Sequence, residues 1–121
     1  MMTTYPGRIL SIDYGNKRIG VAMSDPTRLI AQGVATLAND EKFMEKLLAI
    51  VKNEEVVRII VGMPYNQSVG KGKKELEVEE FIRQLKLHTA VEIDILEYSS
   101  TIFAVEFIAV ILHQIFQSNI N

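Results

Sequence analysis

Apolar and polar residues follow two different periods along this chain. "GRILSID" (7–13) and "RIGVAMSD" (18–25) are short apolar runs joined by "YGNK", where Gly15 and Asn16 tolerate positive φ. This pattern predicts two antiparallel strands. After the Asp25–Pro26 break, "RLIAQGVATL" predicts a third strand. The period then lengthens. In "NDEKFMEKLLAIVKN", Phe43, Met44, Leu47, Leu48 and Val51 recur at i, i+3 and i+4, which predicts a helix with Asn39 as N-cap and Asp40 and Glu41 against its dipole. "VVRIIVGMP" is almost continuously apolar, the mark of a strand buried on both faces. "YNQSVGKGKK" reads as a loop, followed by a helix from about Lys74 to Lys86 with Val78, Phe81, Ile82 and Leu85 on one side. "AVEIDILE" alternates strictly, as a strand near a sheet edge would. "SST" can cap a last helix over about Ile102–Gln117.

The predicted order is βββαβαβα. A leading meander followed by βα units gives an α/β fold with a mixed five-stranded sheet and helices packed on both faces. With 121 residues, 48% of them hydrophobic, the chain suits one domain (1–121) with one core. There are no cysteines, which excludes disulfides, thiolate zinc sites and a cysteine nucleophile, and fits a cytoplasmic protein. The C-terminal apolar stretch is shorter than the ~20 residues a membrane span needs and carries Glu106 and His113, so no membrane association is expected. A net charge of −2 counts mildly against a nucleic-acid binder, although a local basic patch suffices for one.

Asp13 ends the first predicted strand, where a charge is costly without a partner. Ligands in such sheets collect at the carboxyl ends of the parallel strands, where strand order reverses. Glu97 ends the last strand, and Glu106 lies in the final helix. If these carboxylates converge, a hard cation such as Mg²⁺ would relieve their repulsion and serve phosphodiester hydrolysis. Each also has an ordinary reading: Asp13 as a turn cap, Glu97 as a solvated acid, Glu106 as a lysine partner. In the loop, Lys71, Lys73 and Lys74 can neutralise phosphates where the glycines let the backbone come close; a merely solvated loop explains them too. Lys17 and Arg18 can face the same cleft.

These motifs resemble the YqgF/RuvX family of Holliday-junction resolvase-like and pre-16S rRNA nuclease proteins. "IDYGNKRIGVAMSD" matches the family's opening signature through Asp13, Gly15, Arg18, Ile19, Gly20, Val21 and Ala22. "IIVGMPYNQSVGKGKKELEVEEF" is similar to its Val-Gly-Leu-Pro-x-Asn segment, with Gly62, Pro64 and Asn66 in place. "EYSST" aligns with its Asp-Glu-Arg-x-Ser-Thr segment through Glu97, Ser100 and Thr101. The resemblance covers Arg8 to about Ala104. It implies an RNase H-like fold, with Asp13, Glu97 and Glu106 as catalytic and metal ligands for Mg²⁺ or Mn²⁺. It also implies nucleic-acid contacts from Lys17, Arg18, Asn66, Lys71, Lys73, Lys74, Ser100 and Thr101. Leu96 replaces the family's Asp and Tyr98 its Arg, and the C-terminal part is shortened. Glu106 falls either where the family's last catalytic Asp would be or within an earlier helix.

Three readings follow. The first is a metal-dependent nuclease that processes the 5′ end of pre-16S rRNA in ribosome biogenesis or resolves branched DNA, as a monomer or homodimer. The second is a noncatalytic nucleic-acid-binding module with a degraded site. The third, an actin-like phosphotransferase, needs two such lobes where this length supplies one.

Overall fold

The computed structural model describes residues 7–24, 31–65 and 72–99. They form β1 (Arg8–Asp13), β2 (Arg18–Ser24), β3 (Ala31–Ala38), α1 (Phe43–Asn53), β4 (Val56–Tyr65), α2 (Lys73–His88) and β5 (Glu92–Ser99). One five-stranded sheet has the order β3-β2-β1-β4-β5. β1, β2 and β3 make the antiparallel meander, while β4 joins β1 in parallel and β5 joins β4 in parallel. The order therefore reverses at β1 and β4, and the carboxyl end of β1 is Asp13.

Both described helices pack on one face of the sheet. α1 contributes Phe43, Leu47 and Val51, and α2 contributes Val78, Phe81, Ile82 and Leu85. They meet Leu10, Ile12, Ile19, Val21, Ile59, Val61 and Met63 in one core cluster. Successive strand residues point to opposite faces, so Ile9, Ser11, Asp13, Gly20, Ala22 and Ile60 belong to the second face. β4 is buried on both faces, Ile59 and Val61 on one and Ile60 on the other, as its continuous apolar run predicts. The helix expected over about Ile102–Gln117, and with it the covering of the second face, lies outside the described residues.

Two boundaries differ from expectation for a stated reason. α1 starts at Phe43 after Lys42, not at Asn39. Asp40 makes the turn instead: its carboxylate accepts the Lys42 N–H at 2.9 Å and its carbonyl the Phe43 N–H at 3.1 Å. The Asn39 amide is engaged elsewhere, as described below. α2 runs from Lys73 to His88, slightly longer than expected, with Glu75 in its first turn and Lys86 and His88 in its last. At the other end of β1, where the β1–β4 register shifts between Arg8 and Ile9, the Ile9 N–H donates to the Ser24 hydroxyl at 2.8 Å. Ser24 thus satisfies a buried donor, and its position in an apolar strand has a structural cause.

Candidate functional site

β1 carries Asp13 to the end of the sheet at the reversal of strand order. On its face, the residue opposite it on β2 is Gly20, and a Cβ there would lie 3.6 Å from the Asp13 Cβ. On β4, Ile12 is level with Val61, so Gly62 follows beside Asp13. Asp13 is thus flanked by a glycine on each side of its strand. No neighbouring side chain occupies the room around its carboxyl from these two positions, which is what a ligand approaching a backbone requires. Burial raises the Asp13 carboxyl above the ordinary value of 3.8, while the Lys74 ammonium opposes this and lowers it. A half-buried carboxylate whose charged form is disfavoured is suited to a cation.

Tyr14, the next residue, turns toward the helix face. Its ring is 4.8 Å from that of Phe81, which in turn is 5.9 Å from Phe43. The Lys74 ammonium stands 5.4 Å over the Tyr14 ring, within cation–π range. Tyr98 lies on β5 across from Pro64. By alternation it shares the Asp13 face, and its phenol is pushed up to about 12 by burial and by the Asp13 charge. Gly62, with no side chain, is the residue of β4 lying between them.

The turn after Asp13 is held firmly. A Cβ on Gly15 would collide with the Arg18 carbonyl oxygen, so glycine is required there by close approach. The Asn39 side-chain amide donates to the Gly15 carbonyl at 2.8 Å, and the Asn39 backbone N–H donates to the Lys17 carbonyl at 2.9 Å. Lys17 and Arg18 are exposed on this turn, as is Lys73 at the start of α2, whereas Lys74 is half-buried.

Among the described residues, Asp13 and Glu97 are not brought together. β4 lies between β1 and β5, which separates Asp13 from the Glu97 strand by two strand spacings, roughly 10 Å. Glu97 is paired with Met63 of the helix-face core. Alternation from Ile93, which packs on that core, also places Glu97 on the helix face, opposite to Asp13. Among the described residues, no three His, Asp or Glu side chains gather as a metal cage. Glu106, Asn66, Lys71, Ser100 and Thr101 lie outside the described residues. The sequence reading gave Asn39 to the helix cap and overlooked Tyr14 and the approach of Tyr98 to Asp13. The only sequence signal for Tyr14 and Tyr98 was an aromatic beside each candidate acid.

Known proteins share this sequence pattern and this fold. The chain is 38% identical over 89 residues to a candidate pre-16S rRNA nuclease of Sulfurihydrogenibium sp., covering 74% of this chain and 61% of that protein. It is 38% identical over 90 residues to the corresponding Clostridioides difficile protein, covering 73% and 64%. It thus spans less than two thirds of the length of these relatives. The fold matches T. thermophilus RuvC, solved in complex with a Holliday junction substrate, with a TM-score of 0.55 and 10% identity over 92% of this chain and 79% of that one. The Archaeoglobus fulgidus Pelota structure also matches, with a TM-score of 0.57 and 11% identity over 93% of this chain and 33% of that one. The βββαβαβ order and the likeness to RuvC make this an RNase H-like α/β fold. Among the described residues no helix is long and apolar enough to cross a membrane. The RuvX family model, described as Holliday junction resolvase, matches residues 7–115, and the chain belongs to that family.

Proposed function

We propose that this chain is a nuclease that hydrolyses phosphodiester bonds in a structured nucleic acid. The 5′ region of pre-16S rRNA is the first substrate to test and branched DNA the second, and the cytoplasm is the compartment that such substrates imply. The observation that carries this reading is Asp13: a half-buried carboxylate at the reversal of strand order, flanked by Gly20 and Gly62, with burial opposing its charge.

The donor chemistry at Asp13 fits a hard divalent ion, Mg²⁺ or Mn²⁺. Mg²⁺ is commonly held by one or two carboxylates and completes its shell with waters and substrate phosphates. Asp13 is the proposed primary ligand, and Glu106 the proposed second carboxylate. Glu97, on the helix face, has no described path to the same ion, which makes Glu97→Gln the discriminating control. When bound, a divalent ion supplies Lewis-acid polarisation of the phosphate and eases deprotonation of water. The protein's own work is positional. The Asn39 clamp fixes the turn that carries Lys17 and Arg18. Those two cations and Lys73, with the proposed contacts Asn66, Lys71, Ser100 and Thr101, track the backbone of the nucleic acid.

The test is cleavage of end-labelled precursor RNA and of a four-way DNA junction with Mg²⁺ or Mn²⁺, in wild type and Asp13→Asn. The expected loss in the variant is ~100-fold or more. Equal rates would make Asp13 a turn residue and overturn the assignment. A second reading, a noncatalytic nucleic-acid-binding module, is favoured by the lack of a three-ligand His, Asp or Glu cluster among the described residues and by Leu96 in the family's Asp position. Metal-independent binding without cleavage of either substrate would establish it.

A further inference from the structure

α2 has two opposite faces. Val78, Phe81, Ile82 and Leu85 go into the core. At 3.6 residues per turn, the residues directly opposite them are Leu76, Glu80, Arg83 and Leu87, all exposed. Their spacing of four, three and four residues is that of a coiled-coil seam. Two large apolar side chains end this outer stripe, Leu76 at 54% exposure and Leu87 at 71%. Glu80 and Arg83 lie between them and hold each other: the Arg83 guanidinium donates to Glu80 Oε1 at 2.7 Å and to Oε2 at 2.9 Å.

The order Leu-Glu-Arg-Leu along this stripe is complementary to its own reverse. With two copies of α2 antiparallel about a twofold axis between Phe81 and Ile82, Leu76 of one copy meets Leu87 of the other, and Glu80 meets Arg83. The same patch then serves both copies, as a closed twofold contact requires. With the two helices parallel, Glu80 meets Glu80 and Arg83 meets Arg83, and like charges oppose that orientation. In the antiparallel pair each charge keeps an opposite partner within reach, while the leucines at both ends leave water.

We propose that the outer stripe of α2 is a homodimer interface, on which a second copy of this chain docks its own α2 antiparallel. The inference does not depend on the nuclease reading. From Leu76 to Leu87 the helix runs three turns, ~16 Å, so the contact belongs to the small, reversible class of interface below ~1,200 Å². α2 begins beside Tyr14, the residue after Asp13, since the Lys74 ammonium lies over that ring. Antiparallel pairing therefore points the Asp13 ends of the two copies in opposite directions.

Two measurements on the intact chain test this. In sedimentation velocity at rising protein concentration, up to ~1 mM, wild type is expected to move from monomer toward dimer. Glu80→Arg and Arg83→Glu each set like charges against one another across the axis. Each variant alone should raise the dimer dissociation constant ~10-fold or more. An equimolar mixture of the two should restore association, because each variant supplies the charges that the other lacks. Both positions face solvent, so far-UV spectra should match wild type. The second measurement reads the register. The chain has no cysteine, so Leu76→Cys and Leu87→Cys each add a single thiol. Under mild oxidation, the mixed disulfide between these two variants should form several-fold faster than the disulfide of either variant with itself. A wild type that stays monomeric throughout overturns the proposal. So do charge variants that associate as wild type does, which would assign the contact to another surface, and a mixture that fails to recover association. Like disulfides that form as fast as the mixed one overturn the antiparallel register.

Discussion

Asn39 ties two distant parts of the chain together: its side-chain amide donates to the Gly15 carbonyl at 2.8 Å, and its backbone N–H donates to the Lys17 carbonyl at 2.9 Å. The last residue before the α1 turn thereby closes the turn that follows Asp13. A part-buried hydrogen bond of this kind contributes about 0.5–1.5 kcal/mol. Asn39→Ala removes the side-chain bond and keeps the backbone one, so urea unfolding should show a loss in that range. Asn39→Asp replaces the donor with a carboxylate facing a carbonyl oxygen, and its loss should exceed that of Asn39→Ala. Equal stability of all three proteins would show that the clamp is idle.

This clamp also marks where sequence reasoning stopped. Asn39 has the chemistry of an N-cap and precedes an apolar helical stripe, so it was expected to start α1. Its partner is 24 residues away, and β3 must reach Ala38 beside Arg18 before the helix can begin. Nothing local in the sequence carries that constraint. The strands themselves were legible, because β1, β2 and β4 are apolar runs that only a buried sheet satisfies. Asp13 was legible as a candidate because a charge ending such a run is locally unexplained. The separation of Glu97 from Asp13 was not, since it depends on β4 entering between β1 and β5 and on a register that fixes which residues share a face.

Glu55 is a second local anomaly. It follows the α1 C-cap Glu54 and has φ of +54°, the left-handed conformation usually left to glycine or asparagine. Its amide donates to the Lys52 carbonyl at 3.3 Å, so the conformation closes the helix end. Glu55→Asn should relieve the backbone cost and raise stability by roughly 0.5–1 kcal/mol. Glu55→Gly should gain less than the steric relief alone, because glycine also frees the unfolded chain. Chemical denaturation of the three proteins orders them; a loss of stability in Glu55→Asn would show that the carboxylate makes a compensating contact.

Tyr98 carries a phenol pushed from 10.0 up to about 12. The sign is fixed by linkage: a group that ionises later when folded holds its proton more tightly in the native state. The protein should therefore lose stability as pH rises from about 10 to about 12. Tyr98→Phe removes the ionisable hydroxyl, so its stability should be flatter over that window. Spectrophotometric titration at tyrosinate wavelengths should lose one late ionisation in the variant. If the late ionisation remains, it belongs to another tyrosine.

Asp13 gives the opposite end of the pH scale. Its folded-state value lies above 3.8, chiefly because burial disfavours the charge. Between 3.8 and the raised value, the folded protein holds a proton that the unfolded chain has released. Stability from this group is therefore highest in acid and falls as pH rises through that window, after which the cost of the buried charge is constant. Asp13→Asn abolishes the cost. In the absence of metal its stability should equal or exceed that of wild type at neutral pH, and the difference should shrink as pH falls through the window. Addition of Mn²⁺ should reverse the order, because a ligand that binds only the folded state stabilises it by mass action, and the variant lacks the carboxylate proposed to hold the ion. The measurement is thermal melting of both proteins across pH, with and without Mn²⁺. A metal-induced rise in Tm of the same size in both proteins would place the ion elsewhere. A metal-free Asp13→Asn protein less stable than wild type at neutral pH would make Asp13 a structural hydrogen-bonding residue of the turn and not a carboxylate held ready for a cation.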